Sequence, residues 1–408
     1  FARIILLDMP KTAEAQINLR HLQAMGADIE AVPDELLEDE YDAVVDALFG
    51  TGFTGSIAAD SPAGRLLTWA NTCGPMLSID VPSGMDAATG AVEGVCARAI
   101  WTVTFHRPKP GLYLTERRDC VGEITVAPIG LPREFDPQGG LLVNEEGDLH
   151  TLLPDRPASA HKGDCGRTVI YAGSLGMAGA AMMAARAALH AGAGLTTVIC
   201  PRAAMPVLQQ EVPNATCLAA EDQPTPRCDA LLMGCGIAEN DDTYADMMRL
   251  KATDAYQVWD AGALNLLAGH PQQLGARAVI TPHAGEAARL LGWEIPAVLS
   301  DKLGAAEALR AKYGCNVVLK SAVTVMLTAD GQQCALNAVG SPALAKGGSG
   351  DALAGILASL LGQGLPMLDA MRAACLWLGL AGIAAGKRCG VRAALTGDVI
   401  DSLGACEG

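Results

Sequence analysis

Residues 347–362 read GGSGDALAGILASLLG, a run of small residues with one acid, Asp351, in front of a strongly apolar segment. Gly347, Gly348 and Gly350 strip side chains from the backbone, while Ala352, Leu353, Ile356, Leu357, Leu360 and Leu361 recur at helical spacing. The stretch predicts a glycine turn opening a buried helix. Such a start leaves backbone N–H groups unpaired over the helix N-terminus, where the helix dipole adds partial positive charge and favours an anion. Two roles stay open for Asp351 at this point. It caps the helix, as Asp often does, or it stands beside a ligand, which the density of glycines favours.

The chain around this stretch is long and acidic. Its 408 residues suffice for two domains or three, and its formal charge of -16, with no basic block, gives a nucleic-acid role no electrostatic support. Apolar residues make up 50% and aromatics only 4%, a mixture suited to close packing of helices on sheet. No stretch has the uninterrupted apolar length of a membrane span, because Arg186, His190, Gln363 and Asp369 break the best candidates, and no signal peptide is visible. The thirteen cysteines are scattered, odd in number and without a CxxC pair, so we expect free thiols, no structural zinc and a reducing, cytoplasmic compartment.

Along residues 1–130, ARIILL, AEAQINLRHLQAMG, DAVVDALFGTG, AGRLLTWANTCG, PMLSIDVPSG and WTVTF alternate strand-like and helix-like runs, the pattern of a parallel sheet with crossover helices. Acids stand beside glycines at two strand ends, Asp46 and Asp80, where such folds place ligands. Residues 131–160 are rich in Pro, Gly and acids and read as a linker, with the boundary near Gly140 (domains 1–138 and 139–408). Beyond it TVIYAG, LTTVICP, ALLMGCG, YQVWDAG, AVITPHAGE and VVLKSAVTVML read as strands separated by alanine-rich helices such as GAAMMAARAALHAGAG.

Taken together, the blocks resemble the bifunctional NAD(P)H-hydrate repair enzymes. HKGDCGR (161–167), AGSLGMAGAA (172–181), HAGAGLTTV (190–198), GCG (234–236), TPHAGE (281–286), LKSAVT (319–324) and GGSGDALAG (347–355) look like the ADP-dependent NAD(P)H-hydrate dehydratase, a ribokinase-like α/β fold. DALFGTGFTGS, IDVPSGMD, TVTFHRPKPGL and GEITVAPIG look like the companion epimerase, a Rossmann-like α/β domain, here incomplete. The resemblance implies phosphorylation of the hydroxyl at C6 of hydrated NADH or NADPH at the expense of ADP, with Mg2+, followed by loss of phosphate. It assigns Asp351 as general base, the 348–351 backbone as anion hole, and Lys320, Ser321, Ala322, Val323, Thr324 and Gly350 to the nucleotide. It assigns Ala180, Gly236, His283 and Asp351 to the hydrated dinucleotide, while His283 read alone is a residue capping a turn. Lys162 reads equally as a solvated charge and as the edge of the site.

In the epimerase-like half the resemblance implies Asp46 and Ser83 as ligands of K+, with Gly50, Thr51, Gly52, Phe53, Thr54, Gly55, Ser56 and Asp80 meeting the substrate. Such domains are expected to open with an NNGGDG loop that supplies N–H donors and a cation ligand. This sequence begins at FARIILLDMP, downstream of that loop, and we expect an impaired epimerase half. Two departures touch the other half. WDAGALNLL keeps Asp260 but has Gly262 where the family shows a second acid, and Ser321 replaces the usual glycine after Lys320. A vitamin or sugar kinase with the same GGSGD turn is the competing enzyme reading, against which TPHAGE, HKGD and the attached epimerase-like half argue. A non-catalytic scaffold is the competing reading of another class. We expect a homo-oligomer acting on small molecules, with no nucleic-acid or membrane partner.

Overall fold

The computed structural model describes residues 3–33, 40–132, 134, 140–153 and 155–407, which fall into two compact units, 1–136 and 137–408. The expected boundary at 138/139 lies outside the described residues.

In the first unit the strands are β1 (Arg3–Leu6), β2 (Asp28–Ala31), β3 (Val44–Asp46), β4 (Ser56–Ile57), β5 (Met76–Ile79), β6 (Glu93–Gly94), β7 (Trp101–Phe105) and β8 (Glu123–Ala127). The helices are α1 (Ala13–Ala24), α2 (Pro62–Ala70) and α3 (Pro110–Leu114). β3, β5, β7 and β8 form a four-stranded parallel sheet, while β1 pairs with β2 and β4 with β6 as separate parallel ribbons. Ser61 caps α2 by accepting from Gly64 N, and Pro62 supplies the first helical position, so the helix starts where residue chemistry dictates. Its Leu66 and Leu67 are buried. Parallel pairing aligns the carboxyl ends of β3 and β5, which carries Asp46 and Asp80 to one edge.

The second unit is built on ten strands in the order β12-β11-β10-β13-β14-β15-β16-β17-β18-β9. These are β9 (Leu142–Val143), β10 (Arg167–Tyr171), β11 (Leu195–Cys200), β12 (Thr216–Ala219), β13 (Ala230–Met233), β14 (Tyr256–Trp259), β15 (Ala278–Ile280), β16 (Asn316–Leu319), β17 (Thr324–Leu327) and β18 (Cys334–Asn337). From β12 to β16 the pairing is parallel, and the strands are continuous apolar runs because helices cover both faces. The helices are α4 (Leu149–Leu152), α5 (Ala178–His190), α6 (Met205–Glu211), α7 (Asp241–Lys251), α8 (Gly262–Gly269), α9 (Ala284–Leu291), α10 (Ile295–Ser300), α11 (Lys302–Tyr313), α12 (Ser349–Gly362), α13 (Met367–Cys389) and α14 (Thr396–Asp401). The abundant Ala and Gly permit close crossings. A Cβ on Gly355 of α12 would fall 2.2 Å from the carbonyl oxygen of Ala184 in α5.

Three expectations change. VVLKSAVTVML is two strands, since β16 and β17 pair antiparallel about a turn at 320–323. Part of the expected linker belongs to the second unit: β9 pairs with β18, Leu149 is buried, and Arg372 Nη2 donates to Asp148 Oδ2 at 2.8 Å. Finally, α13, a 23-residue helix with mean hydropathy 1.4, is long and apolar enough to span a membrane despite Asp369, but 67% of that window is buried inside the protein and it serves as a core helix.

Candidate active site

The carboxyl ends of β13, β14, β15 and β16 converge with the N-terminus of α12. The helix is not capped by Asp351. Gly348 holds the cap position in the left-handed region at φ +95°, without a side-chain cap, and Asp351 lies in the first turn. A purely capping role is therefore displaced. Freed from that task, the Asp351 carboxylate is grouped with the Cys235 thiol and the Asp260 carboxylate, their ligand atoms all within 4.8 Å of one another.

Asp260 ends β14. It is 2% exposed, its Oδ1 accepts from Lys320 Nζ at 2.7 Å and from Thr281 Oγ1 at 2.8 Å, and Glu286 Oε2 lies 4.0 Å from the same ammonium. One cation thus serves three carboxylates, counting Asp351. Burial pushes the Asp351 carboxyl up, the charges of Asp260 and Glu286 push it further, and a hydrogen bond from Cys235 and the charge of Lys320 work against them, leaving it at about 6. For Lys320, burial disfavours the ammonium, but Asp260 and Glu286 outweigh it and the group is held charged, above its ordinary value. Ala261, next to Asp260, has φ +48°, a strained backbone for a non-glycine residue at the edge of the site.

The residues assigned from sequence fall into place unevenly. Gly350 stands against Lys320, since a Cβ there would lie 3.3 Å from its Nζ. Ser321 closes the 320–323 turn on itself, donating to Val323 O at 2.6 Å, so the change from glycine is accommodated within the turn. Ala322 is exposed, whereas Val323 and Thr324 are buried and offer a ligand chiefly backbone. Ala180 and Gly236 touch, a Cβ on Gly236 falling 2.8 Å from that of Ala180. His283 does cap α9: its Nδ1 accepts from Gly285 N at 3.0 Å and Glu286 Oε2 accepts from His283 N at 2.9 Å. Its side chain is 59% exposed with Nε2 3.5 Å from Glu286 Oε1, and its backbone bridges to Lys320. Gly262 suits its surroundings, because a Cβ there would strike Ile237 Cγ1 at 2.7 Å.

Lys162 is the exception. HKGD precedes the amino end of β10, and a Cβ on nearby Gly166 would meet Gly362 O, at the far end of α12 from Asp351. The edge of the site is therefore not where Lys162 stands. Nothing in the residue pattern singles out Cys235, Thr281 and Glu286. Their one signal is position, within two residues after β13 and β15 or in the first turn of α9.

Cys235, Asp260 and Asp351 have the spacing of a cation site, but the residues do not fit Mg2+. Lys320 already places its ammonium on Asp260, and burial first, then the neighbouring carboxylates, hold the Cys235 thiol protonated.

In the first unit, Asp46 and Ser83 do come together. Asp46, 4% exposed, accepts from Ser83 Oγ at 2.6 Å, Ser83 N at 2.8 Å and Ser78 Oγ at 2.9 Å, and Phe49 O lies 3.5 Å from Ser83 Oγ. Carboxylate, hydroxyl and carbonyl oxygens are a donor set that suits a hard monovalent cation such as K+. Asp80, at φ +69°, accepts from Lys109 Nζ at 2.6 Å and from Thr104 Oγ1 at 3.2 Å. The 50–56 loop runs beside it, Gly50 approaching Asp80 Oδ2 while Thr51, Gly52, Thr54, Gly55 and Ser56 are exposed and Phe53 packs on Phe49.

Comparison with known proteins finds relatives of both units. A family model described as NAD(P)H-hydrate dehydratase matches residues 168–403, and one described as YjeF-related protein N-terminus matches residues 2–111. The bifunctional NAD(P)H-hydrate repair enzyme Nnr of Vibrio cholerae is 36% identical over 88% of this chain and 73% of its own. That of Escherichia coli is 35% identical over 97% and 77%. Among solved structures, the ADP/ATP-dependent NAD(P)H-hydrate dehydratase of Bacillus subtilis, co-crystallised with ATP and Mg2+, is 25% identical with a TM-score of 0.59, covering 65% of this chain and 97% of that one. A ribokinase-like superfamily protein of Enterococcus faecalis is 26% identical with a TM-score of 0.60, covering 66% and 96%.

Proposed function

Since the chain belongs to the family of bifunctional NAD(P)H-hydrate repair enzymes, we propose that its second unit dehydrates the S epimer of NADH or NADPH hydrate with ADP as phosphoryl donor, and that Asp351 is the general base. The family excludes the vitamin or sugar kinase reading. The observation that carries the role of Asp351 is its half-buried carboxylate in the first turn of α12, pushed up to about 6 among Asp260, Glu286, Cys235 and Lys320. A base poised near the working pH combines an available proton acceptor with adequate driving force.

The terminal phosphoryl of ADP rests over the Gly350 and Asp351 amides and the dipole of α12, which favour the charge that spreads over its oxygens. The C6 hydroxyl faces Asp351, which takes its proton as the oxygen attacks phosphorus and AMP departs. The ring nitrogen then expels phosphate from C6, and loss of a proton from C5 restores the double bond. Lys320, held by Asp260 and Glu286, anchors the 320–324 turn against the nucleotide. Ala180 and Gly236, in contact, form the floor for the dinucleotide. Mg2+ would enter with the nucleotide and would supply positive charge to the transferring phosphoryl group.

The first unit is the epimerase-related half, with Asp46 and Ser83 as oxygen ligands for K+ and Asp80 beside the 50–56 loop meeting the substrate. A reducing compartment suits the thirteen free cysteines. The test is to incubate the protein with purified hydrate epimers and ADP and follow the absorbance of the reduced nicotinamide. Its return with the S epimer supports the reading; no return with ADP or ATP defeats it.

A further inference from the structure

The Cys235 thiol has no place in the reaction as written, yet it is fully buried against its base. The segment that carries it is pinned on both sides. A Cβ on Gly234 would lie 1.8 Å from Asp260 O, one on Gly236 would lie 2.7 Å from Met177 O, and Cys235 O itself accepts from Gly173 N at 2.8 Å. With its backbone wedged between the ends of β10 and β14, the Cys235 side chain is held toward the first turn of α12, its Sγ within 4.8 Å of the carboxylate oxygens of Asp351 and Asp260.

We propose that Cys235 is a positioning residue for the dehydratase: its S–H donates to the Asp351 carboxylate and fixes the direction in which that carboxylate meets the substrate hydroxyl. The proposal deepens the function above and rests on Asp351 being the base. Two features suit the thiol to the task. Burial, reinforced by Asp351 and Asp260, pushes Cys235 well above its ordinary value, so the donor keeps its proton wherever the enzyme works. A neutral donor also steadies the carboxylate without the full quenching that a second ammonium would bring. The charged and titratable groups facing Asp351 are Asp260 from the end of β14, Lys320 from the end of β16, Glu286 from α9 and Cys235 from the end of β13. Asp260 and Glu286 raise it, while Lys320 and Cys235 lower it. Removing the thiol therefore moves Asp351 upward.

The experiment measures kcat/KM against pH for the full chain and for Cys235→Ala, Cys235→Ser and Asp351→Asn, with melting temperatures alongside. In Cys235→Ala the acid limb should move to higher pH by roughly half to one unit and turnover at the optimum should fall about five- to tenfold. In Cys235→Ser, whose O–H is the stronger donor, turnover should stay within about threefold of the unmodified enzyme and the acid limb should lie at lower pH. A loss of packing alone lowers the melting temperature of the Ala variant and leaves the acid limb in place. An unmoved limb in Cys235→Ala beside an inactive Asp351→Asn overturns the role of Cys235 alone, and full turnover in Asp351→Asn overturns both it and the base. Should the Ala variant not fold, the Ser variant decides: an acid limb at or above that of the unmodified enzyme overturns the proposal.

Discussion

Lys320 Nζ lies 2.7 Å from Asp260 Oδ1, a contact between residues 60 positions apart that joins the ends of β16 and β14. Asp260 is 2% exposed, so its charge depends on this partner and on Thr281. Lys320→Ala leaves a buried carboxylate uncompensated, which typically costs on the order of 3 kcal/mol. We expect both a lower urea midpoint and a higher ADP concentration for half-maximal rate. A Lys320→Ala, Asp260→Asn double variant should recover most of the stability and none of the nucleotide affinity. Recovery of both would remove Lys320 from the nucleotide site.

Asp351→Asn separates catalysis from folding. Turnover should fall on the order of 100- to 10,000-fold. Stability should move the other way at neutral pH. Folding raises this carboxyl from its ordinary 3.8 to about 6, so between those values the folded state keeps a proton that the unfolded chain has lost. The contribution is greatest below about pH 4 and declines as pH rises through 6, by on the order of 3 kcal/mol in all. The Asn variant, which carries no such charge, should be the more stable protein at pH 8 and match the unmodified one near pH 4. Denaturant titrations at the two pH values check this, and kcat/KM of the unmodified enzyme should rise as pH passes about 6.

Gly236→Ala tests the contact with Ala180. Position 236 has φ +65°, and the added methyl would meet Met177 O at 2.7 Å. The loop before α5 must shift, so the KM for the hydrate should rise at least about tenfold while ADP affinity is kept. An unchanged KM would take Gly236 and Ala180 out of the dinucleotide site.

Asp46→Ala should unsettle the first unit. Three donors, two from Ser83 and one from Ser78, lose their acceptor in a buried setting, at about 1 to 3 kcal/mol for each group left unpaired. Thermal unfolding should show the first unit melting earlier, and any dependence of its melting temperature on K+ over Na+ should vanish. K+ dependence that survives the substitution would place the cation elsewhere.

Much of this was legible in sequence. The glycine turn, the apolar period of 352–361 and the strands of both units follow from local rules: side-chain period, glycine permissiveness and the chemistry of helix starts. The family, and with it Asp351, was legible because its blocks carry backbone-specific residues in order. Short edge elements were not. β9 and β12 carry little periodic signal, and β9, inside a Pro- and Gly-rich stretch, is a strand only because β18 offers it an edge. Position in the sheet was equally silent, which is why Lys162, inside the HKGD block, lies at the wrong end of the strands. Nor does any local rule pair Lys320 with Asp260 or aim Cys235 at Asp351. Those contacts depend on which strand ends the parallel order β13-β14-β15-β16 makes neighbours. The sequence by itself determined which residues are suited to proton transfer and anion binding; the tertiary structure alone decided the burial and neighbouring charge that hold Asp351 near 6, because desolvation and Coulomb energy depend on distances in space and not along the chain.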